Sequence, residues 1–286
     1  MRRQLAWLLT VGAFGLGVQI AMASGAVTRV VDQTRTVYIS ATDASGAAVT
    51  DLTATDLVLK EGGKERQVTN VQPATAAMQV VIIDDDRGTG FFQLGVAKFI
   101  QQLLGHADFS VRLINNQAMK LVDFTKDVDA LKGAISHLTP RGTVQPDGDQ
   151  LLEAISDAAR DLQKIKSERP VIVVVTGGGE AAKALLPADV LDQLKNSGAS
   201  LHVLSVTGAG IGQVLGDGPR QSGGRSDQVG AATGIADGME RIGDGLMHQY
   251  VISYTLPTGV KPNEKLSVSV TRKGVTLLAP IRVRDK

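Results

Sequence analysis

Two apolar runs constrain the fold more than any other feature of this sequence. Residues 79–84 read QVVIID and residues 170–176 read PVIVVVT, and neither run alternates between apolar and polar residues. Strands that are apolar on both faces occur almost only in parallel sheets that helices cover on both sides. Helical spacing of apolar residues follows the first run, as at Phe92, Val96 and Phe99. The pattern therefore predicts an α/β fold with a doubly wound, mostly parallel sheet.

The segments on either side of this region carry strand signals of another kind. Residues 28–77 contain the alternating run RTVYISAT and a bend signal at Gly62-Gly63, and residues 248–286 contain YVISYTL and KLSVSV. Alternation predicts antiparallel strands with one buried face. We expect the two segments to pair into one small antiparallel β domain, with the α/β domain of residues 78–247 inserted between them.

The first 23 residues have the pattern of a secretory signal peptide. Arg2 and Arg3 form a short basic start, an apolar stretch follows, and Ala21 and Ala23 are the small residues that a cleavage site requires. The apolar stretch is about as long as the shortest membrane spans, so an uncleaved anchor is the alternative. Either outcome predicts export, to the periplasm or outside the cell, with membrane attachment only if the segment stays uncleaved.

Composition excludes several classes of function. The sequence contains no cysteine, which excludes disulfides, thiolate metal sites and cysteine nucleophiles. The 30 Lys and Arg residues are balanced by 29 Asp and Glu residues, so no basic field exists to attract nucleic acid. The four histidines are far apart in sequence and form no pair at the spacing of a zinc site. Nucleic acids are therefore not expected partners, and thiolate or histidine metal chemistry is not expected.

The stretch with the clearest chemical content is DDDRGTG at residues 84–90, directly after the first apolar run. In an open α/β sheet, ligands bind at the carboxyl ends of the strands. The stretch TGGGE at residues 176–180 follows the second run, so we expect it at the same edge. Asp84, Asp85 and Asp86 could hold a divalent cation, accept a phosphoryl group, or cap a turn.

Two catalytic interpretations fit part of this edge. Asp84 and Asp86 have the D-x-D spacing of haloacid dehalogenase-type phosphatases, with Asp84 as nucleophile and Thr176 as a phosphate-binding hydroxyl. Gly88 stands where that pattern usually has Thr or Val, and no late acidic pair follows a strand to hold Mg²⁺. A phosphoryl-accepting receiver pocket would need a lysine at the end of the later strand SLHVLSV, which has none. We expect no enzyme and keep the phosphatase as the alternative.

The order of motifs along the chain resembles the von Willebrand factor A-type domain, and more closely the bacterial, acidobacterial-type group called VWFA-related. The resemblance covers most of residues 35–284. It rests on VVIIDDDRG, LVDFTKDVDALKGAISHL, PRGTVQPDGDQLLEAI, PVIVVVTGGGE and the closing YVISYTL. It implies a von Willebrand A-type fold and a role in binding another protein.

Domains of this type can hold Mg²⁺ or Mn²⁺ at a metal-ion-dependent adhesion site, built from D-x-S-x-S, a Thr in a later loop and a further Asp. The resemblance carries three candidate metal ligands over to this chain, Asp84, Asp86 and Thr143. Both serines of the motif are missing, because Asp86 and Gly88 stand in their places, and Gly177 replaces the later Asp. We therefore expect a degenerate site, with Mg²⁺ or Mn²⁺ as the cofactor candidates and no other cofactor.

The same resemblance places the partner contacts at the carboxyl edge of the sheet. The candidates are Asp85, Arg87, Gly177 and Glu180, and the glycine-rich segment 208–225, which we expect to be a loop, could join them. We expect an exported, non-enzymatic adhesion or scaffold module that binds another protein. A purely structural envelope component is the second alternative beside the phosphatase.

Overall fold

The computed structural model describes residues 33–142 and 149–284, which form thirteen β-strands and six α-helices. The predicted signal peptide and the predicted ligand Thr143 lie outside the described residues. None of the helices in the described ranges has the length and apolar character needed to cross a membrane.

The strands, in chain order, are β1 (Gln33–Thr42), β2 (Leu57–Glu61), β3 (Lys64–Arg66), β4 (Val68–Pro73), β5 (Met78–Asp85), β6 (Ala107–Ile114), β7 (Ala118–Thr125), β8 (Arg169–Thr176), β9 (Ser200–Val206), β10 (Ser226–Val229), β11 (Tyr250–Leu256), β12 (Leu266–Val270) and β13 (Thr276–Leu278). The helices are α1 (Gln93–Leu103), α2 (Val128–Ser136), α3 (Gln150–Lys164), α4 (Pro187–Ser197), α5 (Gln213–Ser222) and α6 (Ile235–Met247).

The central sheet has the strand order β10-β9-β8-β5-β6-β7. Neighbouring strands are parallel except for β7, which runs antiparallel to β6. The chain winds outward from β5 in one direction and from β8 in the other, which is the doubly wound arrangement. This confirms the predicted mostly parallel α/β sheet, and it places the ligand crevice where β5 and β8 meet.

Helices on both faces explain why the central strands are apolar without alternation. Helices α1, α2 and α6 cover one face of the sheet, and α3, α4 and α5 contribute to the apolar cluster on the other. Every residue of β8 is buried, and so is every residue of β5 except Gln79. Because both faces exclude water, residues of either parity are buried and no polar face is needed.

The flanking segments of the chain form two antiparallel sheets, with the orders β13-β1-β11-β4 and β12-β2-β3. Strand β1 pairs with β11 from Gln33↔Leu256 to Ile39↔Tyr250, which joins the two ends of the described chain. An apolar cluster that includes Ile39 lies in this part of the molecule. The predicted β domain of N- and C-terminal segments around an inserted α/β domain is thus confirmed.

The prediction of a loop at residues 208–225 is wrong, because α5 occupies the middle of that segment. Its residues Val214 and Leu215 are fully buried. A Cβ atom at Gly218 would lie 2.7 Å from the Leu201 side chain, so glycine lets this helix approach β9 closely. Packing against the sheet therefore outweighs the low helix propensity of the glycines.

We expect Ile39→Ala to destabilise the protein by roughly 2–5 kcal/mol, because it leaves a cavity beside the strand that joins the two ends of the chain. Ile39 is fully buried. Urea unfolding would measure the change, with Thr36→Ala on the exposed part of the same strand as the control, expected within about 0.5 kcal/mol of wild type. Equal losses in the two variants would contradict the assignment of this core.

Candidate functional site

Three consecutive carboxyl groups lie at the carboxyl edge of the central sheet. Asp84 and Asp85 end β5, and Asp86 begins the loop to α1. Asp85 is the direct pairing partner of Thr176, the last residue of β8, so the two polar stretches do meet. All four side chains are buried, with exposed fractions of 2% or less. Burial of this many carboxyl groups requires neutralisation within the protein.

Asp86 organises the loop after β5. Its Oδ1 accepts hydrogen bonds from the backbone N–H of Gly88 at 2.8 Å and from Nη2 of Arg141 at 2.6 Å, and its Oδ2 accepts from the N–H of Gly90. Arg141 is itself held in place, because Nη1 donates to the carbonyl oxygen of Thr139 at 2.7 Å. Both carboxylate oxygens of Asp86 are therefore engaged, and a guanidinium group balances the charge.

Asp85 is bound from the neighbouring strand. Its Oδ2 accepts a hydrogen bond from the Thr176 hydroxyl at 2.7 Å, and its Oδ1 lies 3.0 Å from Nε of Arg87. The same hydroxyl oxygen accepts from the N–H groups of Gly178 and Gly179. Burial raises the pKa of the Asp85 carboxyl to about 6, although the Thr176 hydrogen bond and the Arg87 charge act in the opposite direction.

Asp84 is the least compensated of the three. Its Oδ1 accepts from the backbone N–H of Asp86 at 3.0 Å, whereas its buried Oδ2 has no hydrogen-bond partner among the described residues. Burial raises the pKa of Asp84 well above its usual range, and the charge of Asp86 raises it further. The neutral form of this carboxyl group is therefore favoured.

As they are arranged, the described oxygen atoms do not fit a divalent cation. Mg²⁺ requires six oxygen ligands in near-octahedral geometry. Asp84 Oδ2 is the one oxygen of the three carboxyl groups with neither a hydrogen bond nor an ion pair to a described residue. In the described ranges, no three His, Asp or Glu side chains are grouped to hold a metal ion. The metal role of Asp84, Asp86 and Thr143 stays a prediction, because Thr143 lies outside the described residues.

Arg87 has an unusual backbone conformation, and its side chain occupies space that a glycine leaves open. Its φ of 56° lies in the left-handed region, which non-glycine residues rarely adopt. A Cβ atom at Gly178 would lie 1.7 Å from Nε of Arg87, so only glycine leaves room for this guanidinium group. The backbone N–H of Gly177 donates to the carbonyl oxygen of Asp85 at 2.9 Å. The glycine segment that stands in place of the motif's later Asp thus accommodates the side chain of Arg87.

Glu180, a predicted partner contact, is bound to neighbouring backbone. Its Oε2 accepts from the N–H of Leu215 at 2.8 Å, in the first turn of α5. Its own N–H donates to the carbonyl oxygen of Gly210 at 2.7 Å. A carboxylate at a helix N-terminus is favoured by the helix dipole. The sequence analysis missed this role because it did not predict α5.

Arg141 is a residue of this candidate site that was not predicted from the sequence. It lies 55 residues from Asp86 in the chain, so no local pattern connects the two. One feature of the sequence could have indicated it: Arg141 is a basic residue two positions before Thr143, in a loop that was expected at the carboxyl edge of the sheet.

Large apolar side chains are exposed around the buried acids. Phe91 is 69% exposed and Leu94 62%, directly after the acidic loop, and Leu186 is 63% exposed before α4. Ile211, between β9 and α5, and Met119, at the start of β7, are also exposed at this edge. These five are more than half of the nine exposed large hydrophobic residues in the described ranges. Exposed apolar surface that concentrates at one edge makes that edge a candidate interaction surface.

The sequence matches no protein-family model and no curated protein. Similar solved structures include a von Willebrand factor type A protein from Catenulispora acidiphila, with a TM-score of 0.46 and 12% identity over 87% of this chain and 74% of that chain. The PilB minor pilin from Streptococcus sanguinis has a TM-score of 0.43 and 12% identity, over 61% of this chain and 62% of the pilin. The SpRpn10 VWA domain has a TM-score of 0.43 and 15% identity, over 60% of this chain and 98% of that domain.

These likenesses concern the fold alone. The doubly wound strand order and the antiparallel β7 described above confirm the predicted α/β fold class. The likeness to von Willebrand A-type domains is weak, because the TM-scores are below 0.5. The closer resemblance to the bacterial VWFA-related group stays a prediction.

We expect Asp85→Asn to flatten the pH dependence of stability. The pKa of Asp85 is about 6 in the folded protein against a usual value of 3.8, so the folded state binds this proton more tightly than the unfolded state. Its contribution to stability is therefore fully present below about pH 4 and is lost as the pH rises through 6. A shift of about two pH units corresponds to roughly 3 kcal/mol.

Urea unfolding between pH 4 and pH 7 would measure this effect. The fall in stability across that range should be smaller in Asp85→Asn than in wild type. Asp129→Asn is the matched control, because the Asp129 side chain is 93% exposed. Identical pH profiles for wild type and Asp85→Asn would show that the Asp85 carboxyl group is not buried as described.

Proposed function

We propose that this protein is an exported, non-enzymatic protein-interaction module whose contact face is the carboxyl edge of the central sheet. Its metal-ion-dependent adhesion site is degenerate, and arginines take over the charge compensation of a metal ion. The observation that carries this proposal is the 2.6 Å contact between Arg141 Nη2 and Asp86 Oδ1. Asp86 is a position from which a metal ligand would be expected, and its carboxylate is already occupied.

The chemistry of the ion pair supports a contact that needs no metal. The Asp86 side chain is fully buried and that of Arg141 is 18% exposed. Charge-assisted hydrogen bonds of this geometry are strong, and breaking a buried pair leaves an uncompensated charge. A cation entering the site would have to displace Arg141 and two backbone N–H groups from Asp86. We infer that a partner binds without the metal-to-carboxylate bond used by intact adhesion sites.

The exposed apolar side chains at the carboxyl edge, called the apolar rim below, supply a basis for binding that needs no metal ion. Phe91 and Leu186 lie in the connections that follow β5 and β8, and Leu94 lies in the first turn of α1; all three are exposed. Arg87 lies in the same connection as Phe91, with 27% of its side chain exposed. Aromatic, apolar and arginine side chains are the types enriched at the centres of protein interfaces. Burial of this rim against another protein would remove apolar surface from water and stabilise a complex.

The alternative of a phosphatase is less favoured by the same geometry. A nucleophilic carboxylate must be ionised and must reach its substrate. Asp84 has no exposed surface, and its environment favours the neutral carboxyl group. Export is proposed from the pattern of residues 1–23 alone.

Site-specific photo-cross-linking in cells that produce the protein tests the contact face. A photoreactive amino acid at position 91 or 94 should give a discrete adduct with one partner. The same amino acid at Val128 or Ile165 should give none. These positions are matched controls, because Val128 and Ile165 are also exposed apolar residues but lie toward the amino edge of the central sheet. Adduct yield should be unchanged by a chelator and by Asp84→Asn.

Several outcomes would contradict the proposal. Adducts that form equally at both edges, or at neither, would favour a purely structural component. Adducts that disappear with chelator would indicate an intact metal-dependent site. Hydrolysis of a generic phosphatase substrate that is lost in Asp84→Asn would establish the enzymatic alternative.

A further inference from the structure

A polar cleft of about 570 Å³ lies at the opposite end of the central sheet from the acidic site. Its walls come from β1, from the beginnings of β8 and β9, from the end of α4 and from residues 280–284. Volumes of this size are typical of ligand sites. The cleft is separate from the contact face proposed above, so its function does not rest on that proposal.

One wall of the cleft is an unpaired strand edge. Strand β1 pairs with β11 over residues 33–39, but on its other side β13 pairs only with residues 40–42. Within the described part of the chain, residues 34–38 therefore have a neighbouring strand on one side only. The chain after β13 turns away, where the N–H groups of Ile281 and Arg282 donate to the carbonyl oxygen of Gln221.

The backbone groups that face the open side can be identified. In an antiparallel strand, alternate residues direct both N–H and C=O to the same side. Ala41 directs its carbonyl to Val49, away from β13, so residues of odd number face β11. Thr34, Thr36 and Tyr38 therefore face the open side. No hydrogen bond joins their backbone groups on that side to any residue in the described ranges.

These three residues present a regular row of donors and acceptors to the cleft. All three line it, and Thr34 and Thr36 are exposed. At about 3.4 Å per residue, the row extends for roughly 14 Å. An extended peptide pairs with such an edge by strand addition, whereas an edge left open in a stable protein is usually blunted by proline, charge or a bulge.

The charges of the cleft favour an acidic occupant. Arg169 is buried, and its guanidinium group donates to backbone carbonyls and the Gln249 side chain; no carboxylate of the described residues balances it. Arg284 has no carboxylate partner in the described ranges either. Among the described residues that line the cleft, Glu168 is the single acidic one. The remaining basic residues of the lining are paired with carboxylates: Arg35, Lys195 and Arg282.

We propose that this cleft binds an extended acidic peptide segment of another protein, which adds as a strand to the open edge of β1 at residues 34–38. Its backbone pairs with Thr34, Thr36 and Tyr38. Its carboxylates are attracted by the positive charges of Arg169 and Arg284. The protein therefore has a second binding site, at the end of the sheet opposite to the contact face.

Fluorescence anisotropy with three labelled peptides tests this inference. The probe is the acetylated heptapeptide Thr-Glu-Val-Glu-Val-Glu-Thr. The first control replaces each Glu by Lys, and the second replaces the first Val by Pro, which removes one backbone donor but no charge and leaves the protein unchanged. We expect the probe to bind at least tenfold more tightly than either control. Amide hydrogen exchange at Thr34, Thr36 and Tyr38 should slow on binding, whereas Arg35 and Val37 should not change.

Two protein variants separate strand pairing from simple charge attraction. Thr36→Pro removes a backbone N–H that faces the cleft and should weaken binding at least tenfold, whereas Thr36→Ala should not. Arg284→Glu should also weaken binding, and Lys132→Glu, a 72% exposed position on α2, should not. If Thr36→Pro does not fold, the proline-containing peptide and the hydrogen-exchange measurement still distinguish strand pairing from charge attraction.

Three results would overturn the inference. The first is that the acidic probe shows no detectable binding at millimolar concentration. Equal binding of the probe and its proline variant is the second, since it would reduce the interaction to charge attraction. Unchanged exchange at Thr34, Thr36 and Tyr38 in the presence of bound probe is the third.

Discussion

Three adjacent carboxyl groups at the end of a buried strand must be neutralised inside the protein, and the structure of this edge follows from how that is done. The two paired carboxylates are balanced by guanidinium groups that reach them from different parts of the chain, Asp86 by Arg141 and Asp85 by Arg87. The third, Asp84, is left in surroundings that favour its neutral form. Arg87 has a left-handed backbone, and Gly178 opposite it leaves room for the guanidinium group.

In the proposed function, these ion pairs take the place of a metal ion at the contact face. Arg141 is anchored by backbone carbonyls as well as by Asp86, so the loop before residue 143 is tied to the loop after β5. Phe91, which lies in the loop after β5, is 69% exposed. The central sheet lies between this face and the cleft at its amino edge, which would allow two partners to bind at the same time.

Much of the fold could be predicted because burial leaves a direct trace in the sequence. Runs such as Val171–Val175 are apolar at every position, and only a sheet covered on both faces explains that pattern. The meeting of Asp85 with Thr176 followed from the rule that parallel strands end at one edge. Helix α5 could not be predicted in this way, because its glycines serve close packing against β9, which only the tertiary structure reveals. Arg141 was missed for a related reason, since its partner is distant in sequence and the pair has no periodic signature.

Calorimetric titration of Mg²⁺ and Mn²⁺ into the metal-stripped mature protein, beside Asp84→Asn, tests the central claim most directly. If arginines have replaced the metal ion, neither cation should produce heat beyond dilution at millimolar concentration, in wild type or in the variant. Binding of either cation by the wild type that is lost in Asp84→Asn would contradict the account. It would mean that Arg141 gives way to a metal ion and that the three aspartates form a working adhesion site.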